Sequence, residues 1–193
     1  MTVKLVGSTS GSVSLQAPAS TTGGAHRVLT LPDVNGTIAT TTTAGKFASY
    51  AIICDQKSSS TNGGTFTQDA WQTRDLNTEI ADADGIVSIS SNQFTLQAGT
   101  YLIKASAPGY YVYDHMAKLY DVTASADVAL GTSEYTSAQA QTRSFFTARV
   151  TISGATTYEI RHKCYNTKVN NGFGENTGIG VEKYTIVEIY KEI

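Results

Sequence analysis

The sequence predicts an all-β chain whose main part is an antiparallel sandwich or jelly roll. Only 16% of its 193 residues are charged, against about a quarter in ordinary soluble domains. Gly, Ser, Thr and Ala dominate, and there are 11 tyrosines. Such a composition suits pleated, half-buried surfaces. Alternation with a period of two is clear at Phe94/Leu96, Tyr101/Ile103/Ala105, Ala148/Val150/Ile152 and Tyr184/Ile186/Glu188, so one face of each strand is buried. Turn dipeptides punctuate these segments at Asn62–Gly63, Asp84–Gly85, Ala98–Gly99, Ser153–Gly154 and Asn171–Gly172. No run with helical spacing lies between them, which indicates many short strands folded into two packed sheets.

Residues 1–45 differ from the rest and are read as a separate attachment segment. They hold few bulky core residues and two short alternating pieces, Val13/Leu15 and Val28/Leu29/Leu31, the second running into a turn at Asn35–Gly36. Strands this thin are marginal alone and become stable where identical copies wrap around one another. Residues 46–193 form the compact domain. Strands are expected over 49–56, 64–73, 85–90, 93–97, 99–108, 116–123, 128–134, 143–153, 157–166 and 181–192. The last is apolar on both faces (Tyr184, Ile186, Val187, Ile189, Tyr190), as a central strand meeting another subunit would be. Together with the tyrosine surplus this names Tyr101, Tyr184, Ile186 and Tyr190 as candidates for a subunit interface, because tyrosine suits such surfaces.

A net charge of −2 offers no basic face for nucleic acid. No apolar run is long enough to span a bilayer, so membrane insertion is not expected. The start, MTVKLVGSTSGS, lacks the apolar core of a signal peptide, so synthesis and retention in a cytoplasm are expected. Cys54 and Cys164 read as free buried thiols in preference to a disulfide.

Nothing in the chain reads as an enzyme or a cofactor site. The histidines, His26, His115 and His162, have no ligand partners at metal spacing, and Asp114 and His115 are adjacent and so point to opposite faces of a strand. A nucleophile elbow of the G-x-S-x-G type is missing. The run GFGENTGIG has Thr177 where a third phosphate-loop glycine belongs. Asp82 and Asp84 in ADADG form a turn, not a calcium loop, and Asn35–Gly36–Thr37 is a turn before it is a glycosylation acceptor.

The segments AWQTRDLNT, GIVSISSNQFTLQAGTYLIKASAPGYYV, MAKLYD, GTSEYTS and YTIVEIYKEI resemble the C-terminal head domain of many phage fibre and virion-associated proteins. Its most specific pieces are Trp71, Arg74, Leu76 and Asn77 in a W-x-x-R-x-L-N run, Ala98 to Tyr101, and the terminal Y-x-I-V-E-I. That domain has the tumour-necrosis-factor-like jelly roll shared with the globular heads of complement subcomponents. The N-terminal LVGSTSGSVSLQAPASTTGGAHRVLTLPDVNGT resembles units in trimeric, β-structured shafts of cyanophage fibres. The resemblance implies a homotrimeric virion protein whose residues 1–45 attach to other virion proteins. It also implies a head that meets a host-surface glycan through its distal loops. Four loops qualify, over 56–64, 107–115, 132–142 and 166–178. They carry Asn62, Tyr110, Tyr111, Tyr135, Asn170, Asn171 and Phe173 as recognition candidates. The alternative is a capsid decoration (head-fibre, cement) protein in which residues 1–45 make the important contacts. Trp71 and Arg74 are expected to be structural: on a regular strand they face opposite sides, Trp71 packed on the sandwich or a neighbouring subunit and Arg74 paired with a carboxylate or carbonyl.

Overall fold

The computed structural model describes residues 2–6, 12–16 and 46–193. The chain divides into two compact units, Met1–Ile38 and Ala39–Ile193. In the first, β1 (Thr2–Val6) and β2 (Ser12–Gln16) pair antiparallel, with Val3 opposite Leu15 and Val6 opposite Ser12. The alternating piece at Val13 and Leu15 is thus a strand, paired with a TVKLV strand that the sequence reading passed over. The second expected piece (Val28, Leu29, Leu31), the Asn35–Gly36 turn, His26 and the expected boundary before residue 46 lie outside the described residues.

The second unit is entirely β and turn among the described residues. Its strands are β3 (Phe47–Lys57), β4 (Gln72–Thr73), β5 (Thr78–Ala81), β6 (Val87–Ser90), β7 (Gln93–Leu96), β8 (Gly99–Tyr110), β9 (Tyr113–Asp121), β10 (Ala126–Leu130), β11 (Glu134–Thr136), β12 (Gln141–Ile152), β13 (Thr156–Cys164) and β14 (Glu182–Glu192). They form two antiparallel sheets. One runs β12-β8-β14-β3-β5; the other runs β10-β9-β13-β7-β6, with β11 also on β9 and β4 on β13. Successive strands repeatedly switch sheet, which makes the pair a jelly roll.

Two expectations need correction. The segment 64–73 is not one strand: it contributes an isolated bridge from Phe66 to Lys168 and then β4, with Asp69 at φ 59° turning the chain between them. The run 128–134 splits into β10 and β11 at Gly131, whose N–H donates to the Ala117 carbonyl (2.8 Å).

Between the sheets lies an apolar core in which Ile53, Phe94, Leu96, Tyr101, Ile103, Leu119, Tyr158, Ile160, Val187 and Ile189 are buried. Each such side chain contributes about 1.5–3 kcal/mol by leaving water. Alternation places them there: along β12, Ser144, Phe146 and Ala148 point in while Phe145, Thr147 and Arg149 point out. This removes Tyr101 from the interface candidates, since its ring is fully buried and its hydroxyl donates to the Gln97 carbonyl (2.9 Å). Tyr184 leaves the set too. The register of β14 on β3 shifts between Lys183 and Ile186, and the Tyr184 ring is buried, its hydroxyl donating to the Thr61 carbonyl (2.7 Å).

The registers define two ends. Phe47 pairs with Glu192 and Gly99 with Ile152 at one end, where Ile193 N–H also meets the Lys46 carbonyl (3.2 Å). Lys57 pairs with Glu182, Tyr110 with Gln141, Tyr113 with Thr136 and His115 with Cys164 at the other. The chain therefore enters the domain at the end opposite the loops 56–64, 107–115, 132–142 and 166–178.

Candidate functional site

All four loops meet at that far end and are laced together by backbone bonds. Tyr110 N–H donates to the Gly172 carbonyl (3.0 Å), Tyr111 to Ala140 (3.2 Å), Gly63 to Gly174 (2.9 Å) and Gly64 to Asn170 (3.0 Å). Such approaches need glycine. A Cβ on Gly63 would lie 2.7 Å from the Phe173 backbone, and Gly174, at φ 142°, lies against the Tyr184 ring with no room for a side chain. The Glu182 carboxylate at the start of β14 accepts N–H bonds from Ser60 (3.3 Å), Thr177 (3.1 Å) and Gly178 (2.8 Å). Desolvation opposes its charge, but those donors hold it below the usual carboxylate range.

The loops present a tyrosine cluster. Tyr113 and Tyr135 stack at 5.9 Å with 17° between planes, Tyr111 meets Tyr113 edge-on at 6.1 Å, and Lys168 Nζ stands 5.2 Å over Tyr111. Tyr111 and Tyr113 both have left-handed backbones (φ 52° and 58°), costing about 1–3 kcal/mol each. That cost is held by the lacing and turns the rings outward. Tyr135 is 58% exposed.

Tyr110, Tyr111, Tyr135 and Asn170 lie on this surface, half-buried or exposed. Phe173 does not. It is buried in a small second core with Phe66, Val112 and Cys164, its ring 4.6 Å from that of Phe66. Asn62 and Asn171 act as internal braces. Asn62 Oδ1 accepts from Asn176 N–H (3.0 Å), and the Asn171 amide donates to Glu175.

Beneath the loops lies a polar hub that sequence reading reached only in part. Arg74 is fully buried with no carboxylate at ion-pair distance among the described residues. Its guanidinium donates to Thr185 Oγ1 (2.8 Å) and to the Pro108 (3.2 Å) and Phe173 (2.7 Å) carbonyls, and lies 4.0 Å over the Phe173 ring. Burial, with the like charge of Arg143, pushes its pKa down to about 9 against the pull of Asp55. Charge-assisted bonds of about 1.5–3 kcal/mol each and a desolvated ring contact of about 2 kcal/mol offset a burial cost of several kcal/mol.

Alongside it, His115 Nδ1 meets His162 Nε2 (2.9 Å) and His115 Nε2 meets Thr142 Oγ1 (2.8 Å). His162 Nδ1 has no partner. The proton arrangement that costs least has His162 Nε2–H donating to His115, and His115 donating to Thr142. It leaves His162 Nδ1 a bare lone pair near the Arg74 charge instead of an orphaned N–H. Burial pushes His115 down to about 4, and burial plus Arg74 and His115 push His162 well below its ordinary value. His162 is fully buried and His115 nearly so. Both cysteines are free and buried, and burial raises the Cys164 thiol to about 12, far from nucleophilic. No three potential ligand side chains gather at metal-binding distance among the described residues. The tyrosine faces, their hydroxyls and the Lys168 ammonium are groups suited to binding.

Two further surfaces matter. The outer face of the five-stranded sheet lines up Leu102, Tyr190 and Tyr50 in one row, Lys104, Glu188 and Ile52 in the next, and Phe145, Ser106 and Ile186 in a third. Phe145 and Tyr50 are 52% and 54% exposed. Ile186 and Tyr190 belong to this face, while Phe145, Tyr50 and Phe47 were missed. Strict alternation in RSFFTARV and SYAII marks Phe145 and Tyr50 as outward. Trp71 lies outside the other sheet, 38% exposed, with Lys118 Nζ 4.1 Å from its ring.

No protein-family model matches the sequence, and no curated protein does. Solved structures do match. The globular domain of the zebrafish complement 1qA protein aligns with 74% of this chain and 95% of its own length, at a TM-score of 0.50 and 13% identity. The head has the complement and tumour-necrosis-factor jelly roll. Murine APRIL (TM-score 0.47, 8% identity, 74% of this chain and 98% of that one) and the Eiger tumour necrosis factor from S. frugiperda (0.46, 10%, 75% and 92%) are similar at lower scores. At these identities the likeness speaks for the fold alone.

Proposed function

We propose that the chain is a non-enzymatic, homotrimeric fibre protein of a cyanophage virion. Residues 1–45 anchor it to other virion proteins, and the head displays its loop end to a glycan on the host surface. The observation that carries this reading is topological: the chain enters at β3, and every tyrosine-bearing loop sits at the opposite end. The attachment segment therefore joins the head at the end opposite the adhesive loops.

Self-association rests on the outer face of the five-stranded sheet. Phe145, Tyr50, Leu102, Ile186 and Tyr190 make it more apolar than a solvent-facing sheet needs to be, and its Lys104–Glu188 pair (3.7 Å) is internally neutral. The resemblance of LTLPDVNGT and its flanks to cyanophage shaft units supplies the virion assignment. Light scattering of the full chain should give three times the 20.5 kDa chain mass, and Phe145→Arg with Tyr50→Arg should shift it towards monomer. A monomeric wild-type protein overturns the trimer. For adhesion, labelled protein should coat cyanobacterial cells and Tyr135→Ala should weaken the coating; cells left bare by the wild type overturn it.

A further inference from the structure

The outer face of the seven-stranded sheet carries a row of stacked aromatics and cations in which each charge has a partner. Lys118 lies over Trp71 and pairs with Asp127 (2.6 Å), while Arg161 lies 3.4 Å over Tyr120 and pairs with Glu159 (2.5 Å). Beyond Trp71 the row opens into a cavity of about 470 Å³, within the range of about 300–1,000 Å³ typical of small-molecule sites. Met116 and the buried His115 and Cys164 make its floor; Asp69, Trp71, Asp114, Glu134, Lys163 and Tyr165 make its rim. Alternation along β9 and β13 sends Asp114 and Lys163 outward while their neighbours His115 and Cys164 turn in.

The rim differs from the row beside it. Among the described residues the side chains of Asp114 and Lys163 have no hydrogen-bond or ion-pair partner, Asp69 has only a 3.4 Å contact from the Gln68 amide, and Glu134 accepts from the Thr132 hydroxyl. Trp71 and Tyr165 are 38% and 67% exposed.

We propose that this cavity is a saccharide site that seats a neutral sugar unit against Trp71, with its hydroxyls on Asp69, Asp114, Glu134 and Lys163. This rests on the adhesive reading of the head and gives it a second contact. Carboxylates only accept hydrogen bonds and an ammonium only donates, whereas a sugar hydroxyl does both. A rim of three acceptors and one donor group therefore matches a polyol. A simple cation would meet Lys163, and a simple anion would meet three carboxylates. The carboxylates are spread around the rim instead of gathered as metal ligands. An amphipathic indole wall suits the C–H face of a sugar. The site faces away from the five-stranded sheet, so trimerisation there leaves it open.

Trp71 is the only tryptophan in the chain, so its emission reports on this cavity alone. Full-length protein titrated with galactose, glucose, mannose, rhamnose and their disaccharides should show a saturable emission change with at least one of them. Asp114→Asn, an exposed change that leaves the core intact, should weaken that response about tenfold or more, and Trp71→Phe should weaken the same binding read by saturation-transfer NMR. A response to lysine or spermidine but to no sugar would overturn the assignment in favour of a cation site. Sugar binding that leaves Trp71 silent and ignores Asp114→Asn would also overturn it, as would silence to every probe. Cell coating separates the two readings. Coating by the wild type that Asp114→Asn leaves unchanged sinks the cavity and spares adhesion, whereas a wild type that coats nothing sinks adhesion whatever the cavity binds.

Discussion

Between the two sheets, the end where the chain enters is filled by Leu96, Tyr101, Ile103, Tyr158 and Ile160, while the loop end holds Arg74, His115 and His162 under Phe66 and Phe173. The difference follows from what each end must satisfy. At the entry end, long strands pair along their length, so backbone groups are used up and side chains only have to exclude water. At the loop end β8 runs past its pairing with β14 by Pro108, Phe173 lies in a loop, and β14 shifts register beside Thr185, so carbonyls and a hydroxyl turn inward. Leucine there would bury them unpaired, at about 1–3 kcal/mol each. A guanidinium with five donors serves three segments at once, and its aliphatic stem and the Phe173 ring supply the apolar packing.

The sharpest way to break this comparison is to remove the hub. Arg74→Ala should cost about 3–5 kcal/mol, because it leaves a cavity and strands its acceptors, and should lower the melting temperature by about 10 °C. Arg74→Leu restores most of the volume without the donors and should recover little. If Arg74→Leu melts with the wild type, the loop end is an apolar core like the other, and the hydrogen bonds are incidental.

The histidine pair gives the next effect. His115 has a folded value of about 4 against an ordinary 6.5. Burial opposes its charge most, and Arg74 acts in the same direction; together they outweigh Glu134 and Asp114, which favour it. Because the folded value is depressed, the unfolded chain takes up the proton first. Stability is therefore full above pH 6.5 and falls as pH drops from 6.5 towards 4, by on the order of 3 kcal/mol. His115→Gln should make that limb of a denaturation-against-pH curve shallower, with His162, depressed in the same direction, supplying what remains; an unchanged limb would place the acid sensitivity elsewhere.

How much of this was legible depends on the range of the signal. The jelly roll was readable, because alternation at Phe94/Leu96 or Ala148/Val150 is local and the turn pairs sit where the chain turns. β5 was not, since TEIA has two exposed residues in four and pairs with β3 across a register shift. Tyr101 and Tyr184 look alike in sequence to Tyr190, and only the choice of face separates them. For Tyr101 the alternation with Ile103 and Ala105 already pointed inward. For Tyr184 the deciding facts are a register shift and Gly174 lying on the ring, neither of which is local. The hub is the same case. Alternation turns His115 and His162 inward, but that they meet depends on β9 pairing with β13 so that Cys164 faces His115. The cavity at Trp71 likewise joins four segments that sequence leaves far apart.

The smallest effect tests whether the loops depend on the hub at all. Glu182 ties 58–61 and 175–180 to β14 through backbone donors at Ser60, Thr177 and Gly178, and it contacts neither Arg74 nor the histidines. Glu182→Gln keeps the shape but removes the charge that strengthens all three bonds to Oε1, and it puts an amide NH2 where Oε2 now accepts from the Thr177 N–H and hydroxyl. Amide exchange at those three residues should speed up severalfold, while exchange in β8 and β13 and the melting temperature stay put. Exchange that instead accelerated across β13 as well would show that loop lacing and hub open as one unit, and the loop end would then differ from the entry end in cooperativity as well as in chemistry.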